Sequence, residues 1–125
     1  MEVIRLDATE DLPNVLFDVN RGVFEISKRS LPENAILFYD PLFNYVTDYL
    51  KAPTEQTVVI FHFDYISTSS TKQIMKIILL FDQLATMQTV KLNWNYDEGD
   101  IDMLQTGGRL EKLTSLKFNF NEIKP

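Results

Sequence analysis

Two short runs rich in apolar residues, Val15-Leu16-Phe17-Asp18-Val19 and Val23-Phe24-Glu25-Ile26-Ser27, flank Asn20-Arg21-Gly22. Asparagine and glycine tolerate positive φ, so the pattern predicts two strands joined by a tight turn. Ser30-Leu31-Pro32-Glu33 follows and has the form of a helix start, with Ser30 as cap, Pro32 in the first turn and Glu33 placed for the return bond. Ile36, Phe38, Tyr39, Leu42, Phe43, Val46, Tyr49 and Leu50 then keep helical spacing. Pro41 is expected to kink that helix or to restart it with Asp40 as cap, and Ala52-Pro53 to end it.

Thr57 to Phe63 is β-branched and aromatic throughout, which predicts a central strand with both faces covered. Ile74, Ile77, Ile78, Phe81 and Leu84 define one apolar face of a crossover helix that starts near Ser70. From Thr89 to Tyr96 the pattern alternates again: Val90, Leu92, Trp94 and Tyr96 share one side and Lys91, Asn93 and Asn95 the other, as in a half-exposed strand. Asp97-Glu98-Gly99-Asp100 reads as a polar turn whose Asp100 caps a helix running to about Arg109, with Gly107-Gly108 marking its end. Leu116 to Phe120 is the last strand. The resulting order, ββαβαβαβ, predicts an α/β domain over residues 1–125 with a mixed sheet of about five strands and about three helices. Parallel neighbours need right-handed crossovers, and two of the helices are expected on one face.

At 125 residues, of which 45% are hydrophobic, the chain has the size of one domain able to bury a core without crosslinks. It has no cysteine, so disulfides, thiolate metal sites and cysteine nucleophiles are excluded. A single histidine, His62, lies within the predicted central strand, where a structural role outweighs a chemical one. No apolar run approaches the roughly 20 residues of a membrane helix, and Met1-Glu2-Val3-Ile4-Arg5 does not open a secretion signal, so a cytoplasmic protein is expected. A net charge of −6 opposes non-specific binding to nucleic acid and anionic membranes. The excess acidity sits in residues 1–62, which carry five basic and ten acidic side chains.

The most unusual stretch is Asp64-Tyr65-Ile66-Ser67-Thr68-Ser69-Ser70-Thr71, in which five consecutive hydroxyls separate a buried strand from a helix. Strand ends and following helix N-termini collect free backbone N–H groups and the positive end of the helix dipole, which suits phosphate. A phosphorylated hydroxyl there adds about −1.5 to −2 charges. Capping is the commoner use of such hydroxyls, and Ser70 with Gln73 forms an acceptable capping box, so the residues alone leave both readings open. Asp97, Glu98, Asp100 and Asp102 lack calcium-loop spacing and read as a solvated turn, and Trp94 and Tyr96 read as core.

Three segments, Ser30-Leu31-Pro32-Glu33-Asn34-Ala35, Tyr65-Ile66-Ser67-Thr68-Ser69-Ser70 and Trp94-Asn95-Tyr96-Asp97-Glu98, resemble in order and spacing the SiaC family of bacterial regulatory phosphoproteins. The resemblance covers about Pro13 to Phe120 and implies a fold similar to the STAS domains of anti-sigma factor antagonists. It further implies that Thr68 is the phosphorylated residue, with Asp64, Tyr65, Ser67, Ser69 and Ser70 forming the switch loop and helix start. Ser67 stands where the family usually has asparagine, and Lys28-Arg29-Ser30-Leu31 stands where Gly-Arg-Ser-Tyr is usual. By the same resemblance the chain has no catalysis or cofactor of its own. A dedicated protein kinase phosphorylates it, a metal-dependent Ser/Thr phosphatase reverses this, and the unphosphorylated form activates a diguanylate cyclase in cyclic-di-GMP signalling and biofilm control. The dianion is then expected to act on an already acidic surface by repulsion and desolvation. An anti-sigma factor antagonist proper has the same switch logic. A small enzyme or metabolite-binding domain would have to rest on Asp64 or the Asp97 turn, with no carboxylate pair to support it.

Overall fold

In the computed structural model, which describes residues 2–125, nine elements follow one another along the chain. They are β1 (Ile4–Leu6), β2 (Asn14–Asp18), β3 (Val23–Ser30), α1 (Ala35–Tyr49), β4 (Gln56–Ile66), α2 (Thr68–Leu84), β5 (Thr89–Asp97), α3 (Ile101–Glu111) and β6 (Phe118–Ile123). The strands form one mixed sheet in simple sequential order, antiparallel from β1 to β3 and parallel from β3 to β6. Right-handed crossovers between strands that always step in the same direction place every connecting helix on the same face. The core shows this arrangement. Phe24, Val59, Leu92 and Phe118 stand in one row across the sheet, and Ile26, Phe61, Trp94 and Phe120 in the next. Phe24 meets Tyr49 of α1 and Phe81 of α2, while the Trp94 indole N–H donates to the Met103 carbonyl of α3 at 3.0 Å.

Several expectations are corrected by this topology. All three helices lie on one face, not two, and β4 is covered on one side only. Thr57, Val59, Phe61 and Phe63 are buried, whereas Val58, Ile60 and His62 stand half-exposed on the open face. Flanking side chains from β3 and β5 shield them enough for an apolar run to survive there. The sheet has six strands because Ile4–Leu6, too short to show alternation, pairs with the edge of β2. Ser30 does not cap a helix. Pairing with β4 carries β3 to Ser30, Pro32 holds Leu31 extended, and α1 starts at Ala35, with the Asn34 side chain accepting from the Leu37 N–H at 3.1 Å.

Pro41 neither breaks nor restarts α1, which continues to Tyr49; the carbonyl it leaves unbonded belongs to the exposed Leu37. Gly107-Gly108 is not a helix end but lies inside α3. At Gly107 the helix passes so close to the core that an added Cβ would sit 2.5 Å from the Trp94 indole nitrogen. Asp100 caps α3 as expected, accepting from the Met103 N–H at 3.1 Å. Strand β6 begins at Phe118, two residues late, because the Thr114 hydroxyl accepts from the Leu116 N–H and holds a turn there. At the hairpin, Gly22 takes φ +66°, which the turn requires.

Candidate functional site

The hydroxyl run occupies almost no loop. Strand β4 extends to Ile66, so Asp64 and Tyr65 are strand residues, and Ser67 is the only residue between β4 and α2. The cap is therefore Ser67, not Ser69 or Ser70: its Oγ accepts from the Ser70 N–H at 3.1 Å. Serine is among the preferred N-cap residues. Thr71 donates its hydroxyl to the Ser67 carbonyl at 2.9 Å, closing the first turn.

Ser70 points the other way and is fully buried. Its Oγ accepts from the hydroxyls of Ser30 and Ser67, both at 2.9 Å, and donates toward the Ser30 carbonyl at 3.4 Å. Since Ser30 gives its proton to Ser70, the Tyr39 hydroxyl must donate to Ser30. A buried chain thus runs from Tyr39 on α1 through Ser30 on β3 to Ser70 on α2 and its cap Ser67, and the Ser67 N–H donates to the Ser30 carbonyl at 3.0 Å. Burial pushes the Tyr39 phenol up to about 12 against smaller opposing contributions from the Ser30 and Ser70 hydroxyls, so it stays a donor at physiological pH.

Ser30 faces inward with the same alternation as Phe24 and Ile26, and beside it the pairing of β3 with β4 is irregular. Lys28 holds φ +80°, and the pairing slips between Lys28, opposite Phe63, and Arg29, opposite Tyr65, leaving Asp64 as the extra residue. Arg29 then lies over the exposed Tyr65 ring, 4.8 Å from its centroid.

Thr68 differs from its neighbours. It is the first helical residue after the cap, it is exposed, and its hydroxyl makes no hydrogen bond among the described residues. Ser69 is also exposed, but its hydroxyl lies 3.3 Å from Ser67 Oγ. Of the residues expected at the site, Ser67 and Ser70 are therefore internal supports, Asp64 and Tyr65 flank from the strand bulge, and Thr68 and Ser69 face outward.

Around Thr68 the surface is apolar with cations. On one side a groove of about 420 Å³ between α2 and α3 is lined by Ile66, Thr68, Met75, Leu110 and Leu113 together with Lys72 and Arg109. On the other side a hollow joins Ser69 and Lys72 to Ile36 at the start of α1. Ile36, Leu37, Tyr65 and Leu113 are among the most exposed large apolar side chains of the described residues. The groove itself carries two cations and no carboxylate, while the hollow on the other side includes Glu33. Lys72 and Arg109 had no sequence signal beyond exposed helix positions, Tyr39 looked like one more apolar position, and Ile36, counted with the apolar face of α1, is exposed. His62 sits apart on the open sheet face, its Nε2 2.8 Å from Asp97 Oδ1.

Among the described residues no helix is long and apolar enough to cross a membrane. A protein-family model described as SiaC family regulatory phosphoprotein matches residues 6–123. No curated protein matches the sequence. In fold the chain is similar to a chain of the crystal structure of the diguanylate cyclase SiaD in complex with its activator SiaC from Pseudomonas aeruginosa, with a TM-score of 0.88 at 21% identity over 96% of this chain and 99% of that one. It is similarly close to SiaC of Pseudomonas aeruginosa, with a TM-score of 0.87 at 21% identity over 98% and 100% of the two chains. For apo-SiaC from that organism the TM-score is 0.85 at 19% identity, over 97% and 99%. At these identities the likeness speaks for the fold, which agrees with the predicted α/β class.

Proposed function

The chain belongs to the SiaC family of regulatory phosphoproteins, and on that premise we propose that it is a non-catalytic partner switch thrown by phosphorylation of Thr68. In its unphosphorylated form it binds and activates a diguanylate cyclase in the cytoplasm. A dedicated kinase adds the phosphate and a metal-dependent Ser/Thr phosphatase removes it. The observation that carries this reading is the division of labour in the hydroxyl run: Ser67, Ser70 and Thr71 are bonded inward, while Thr68 is exposed and unbonded on a rigidly capped helix start. A kinase needs a reachable hydroxyl, and a switch needs one whose modification reports to a surface. Exposed Ile36, Tyr65 and Leu113 around it offer that surface to a partner. The similarity to SiaC, which in the complex with SiaD is a cyclase activator, supports a cyclase as that partner. Placing a dianion amid this contact area costs desolvation that an apolar interface cannot return, giving about 1–3 kcal/mol of coupling between phosphate and partner.

Phosphopeptide mapping of the protein from its native cells tests the assignment. Kinase-dependent phosphate on Thr68 is the expected result, and phosphate only elsewhere, or none across growth conditions, overturns it. A pull-down with the unphosphorylated protein is expected to recover a cyclase, and recovery of an anti-sigma factor in its place would reassign the output.

A further inference from the structure

The groove between α2 and α3 holds two cations that nothing in the fold employs. Lys72 and Arg109 line it with Thr68, and the lining includes no carboxylate. Neither takes part in an ion pair among the described residues, whose salt bridges join Arg29 to Asp11, Lys51 to Asp48 and His62 to Asp97. The guanidinium of Arg109 donates only to the neutral Thr106 hydroxyl, at 3.1 Å. In a chain of net charge −6, two unpaired cations converging on one hollow are a selective arrangement.

We propose that Lys72 and Arg109 form a seat for a phosphate monoester, and that the monoester is the one carried by Thr68 itself. The proposal rests on the reading of Thr68 as the phosphorylated residue and adds where its phosphate goes. Thr68 and Lys72 are four residues apart on α2, a spacing that puts them on the same helix face with Cβ atoms about 5–6 Å apart. Arg109 reaches in from α3 with the planar fork that matches two phosphate oxygens. Ile66, Met75 and Leu110 make the remaining wall apolar, which strengthens an ionic contact made beside it. The ionisable groups lining the groove are Lys72 from α2 and Arg109 from α3, the end of β4 contributes only Ile66, and the segment before α1 brings Glu33 to the adjoining hollow that Lys72 also lines.

The consequence is a different kind of switch. The phosphate ties the start of α2 to α3 and fills the groove beside Leu113, removing a docking hollow by occupancy instead of merely repelling a partner.

The test uses full-length protein with phosphothreonine genetically encoded at position 68, so its outcome does not depend on whether cells phosphorylate that residue; phosphopeptide mapping decides that separately. A ³¹P titration compares this protein with its Lys72→Gln/Arg109→Gln variant. The seat predicts that the phosphate's second pKa is lower in the parent by about one unit, a tenfold change in the proton dissociation constant, with Arg109→Gln alone giving part of it. Equal pKa values in the two proteins would overturn the proposal. Both substituted side chains are exposed, so thermal unfolding of the variants is expected to match the parent without phosphate, which shows that the comparison is between folded proteins. In a second arm, Thr68→Ala protein is titrated with inorganic phosphate. No saturable shift at the Lys72 and Arg109 amides is expected, because the covalent tether supplies the effective concentration. Tight saturable binding of free phosphate there would overturn the assignment to Thr68.

Discussion

Replacing Ser70 with alanine isolates the buried hydroxyl chain at the start of α2. Ser70 is fully buried, and its Oγ is the junction of three contacts, two accepted at 2.9 Å from Ser30 and Ser67 and one donated to the Ser30 carbonyl. Alanine removes the junction and leaves the Ser30 hydroxyl, itself fully buried, with a proton and no acceptor. An orphaned buried donor costs about 1–3 kcal/mol, and the other contacts add roughly 1 kcal/mol, so the expected loss is about 2–4 kcal/mol. For a domain of this size that corresponds to a fall in Tm of roughly 8–16 °C. Urea unfolding followed by the fluorescence of Trp94, the only tryptophan and fully buried, measures it directly. Ser69→Ala is the control, since Ser69 is exposed and its loss is expected to cost less than about 0.5 kcal/mol. Tyr39→Phe combined with Ser70→Ala should fall short of additivity by at least about 0.5 kcal/mol, because both act through Ser30. If Ser70→Ala proved as mild as Ser69→Ala, the network would not be what fixes the start of α2.

The two glycines of α3 are predicted to behave oppositely. Gly107→Ala drives a methyl into the Trp94 ring and is expected to cost more than about 2 kcal/mol despite the gain in helix propensity, whereas Gly108→Ala meets nothing within 4 Å and is expected to stabilise by up to about 1 kcal/mol, both read by urea unfolding. The Tyr39 phenol, raised by burial from 10.0 to about 12, keeps its proton in the folded protein where the unfolded chain has lost it. Stability is therefore fully present below pH 10 and declines as pH rises toward 12, by roughly 3 kcal/mol in all from this group, and Tyr39→Phe should flatten that alkaline decline. Ile36→Glu, at a side chain 58% exposed, should leave the unfolding midpoint within about 0.5 kcal/mol of the parent while weakening cyclase binding at least tenfold in a direct binding assay.

The sequence was most legible where periodicity and packing agree. The apolar spacing of Ile74, Ile77, Ile78, Phe81 and Leu84 predicts the buried face of α2, and all five are buried. The alternation from Val90 to Tyr96 likewise gives β5 and the inward Trp94. It was less legible where tertiary pairing overrides a local signal. Ser30 carries an acceptable capping pattern, but eight residues of parallel pairing keep it in β3. The two glycines of α3 read as a helix end because Gly107 serves a close approach to Trp94 that no local pattern records. At the site, five hydroxyls in a row could not be ranked from spacing alone. Three partners supplied by folding, Ser30, Tyr39 and the Ser67 carbonyl, draw Ser70 and Thr71 inward and leave Thr68 outside. The cations of the groove were illegible because Lys72 and Arg109 meet only when α3 packs beside α2.

The most direct test of the switch is isothermal titration of the diguanylate cyclase from the same organism with two preparations of this chain, one carrying threonine and one carrying encoded phosphothreonine at position 68. The unphosphorylated protein is expected to bind at least tenfold more tightly, consistent with a coupling of about 1.4 kcal/mol or more. Equal affinities for the two preparations would contradict Thr68 as the switch.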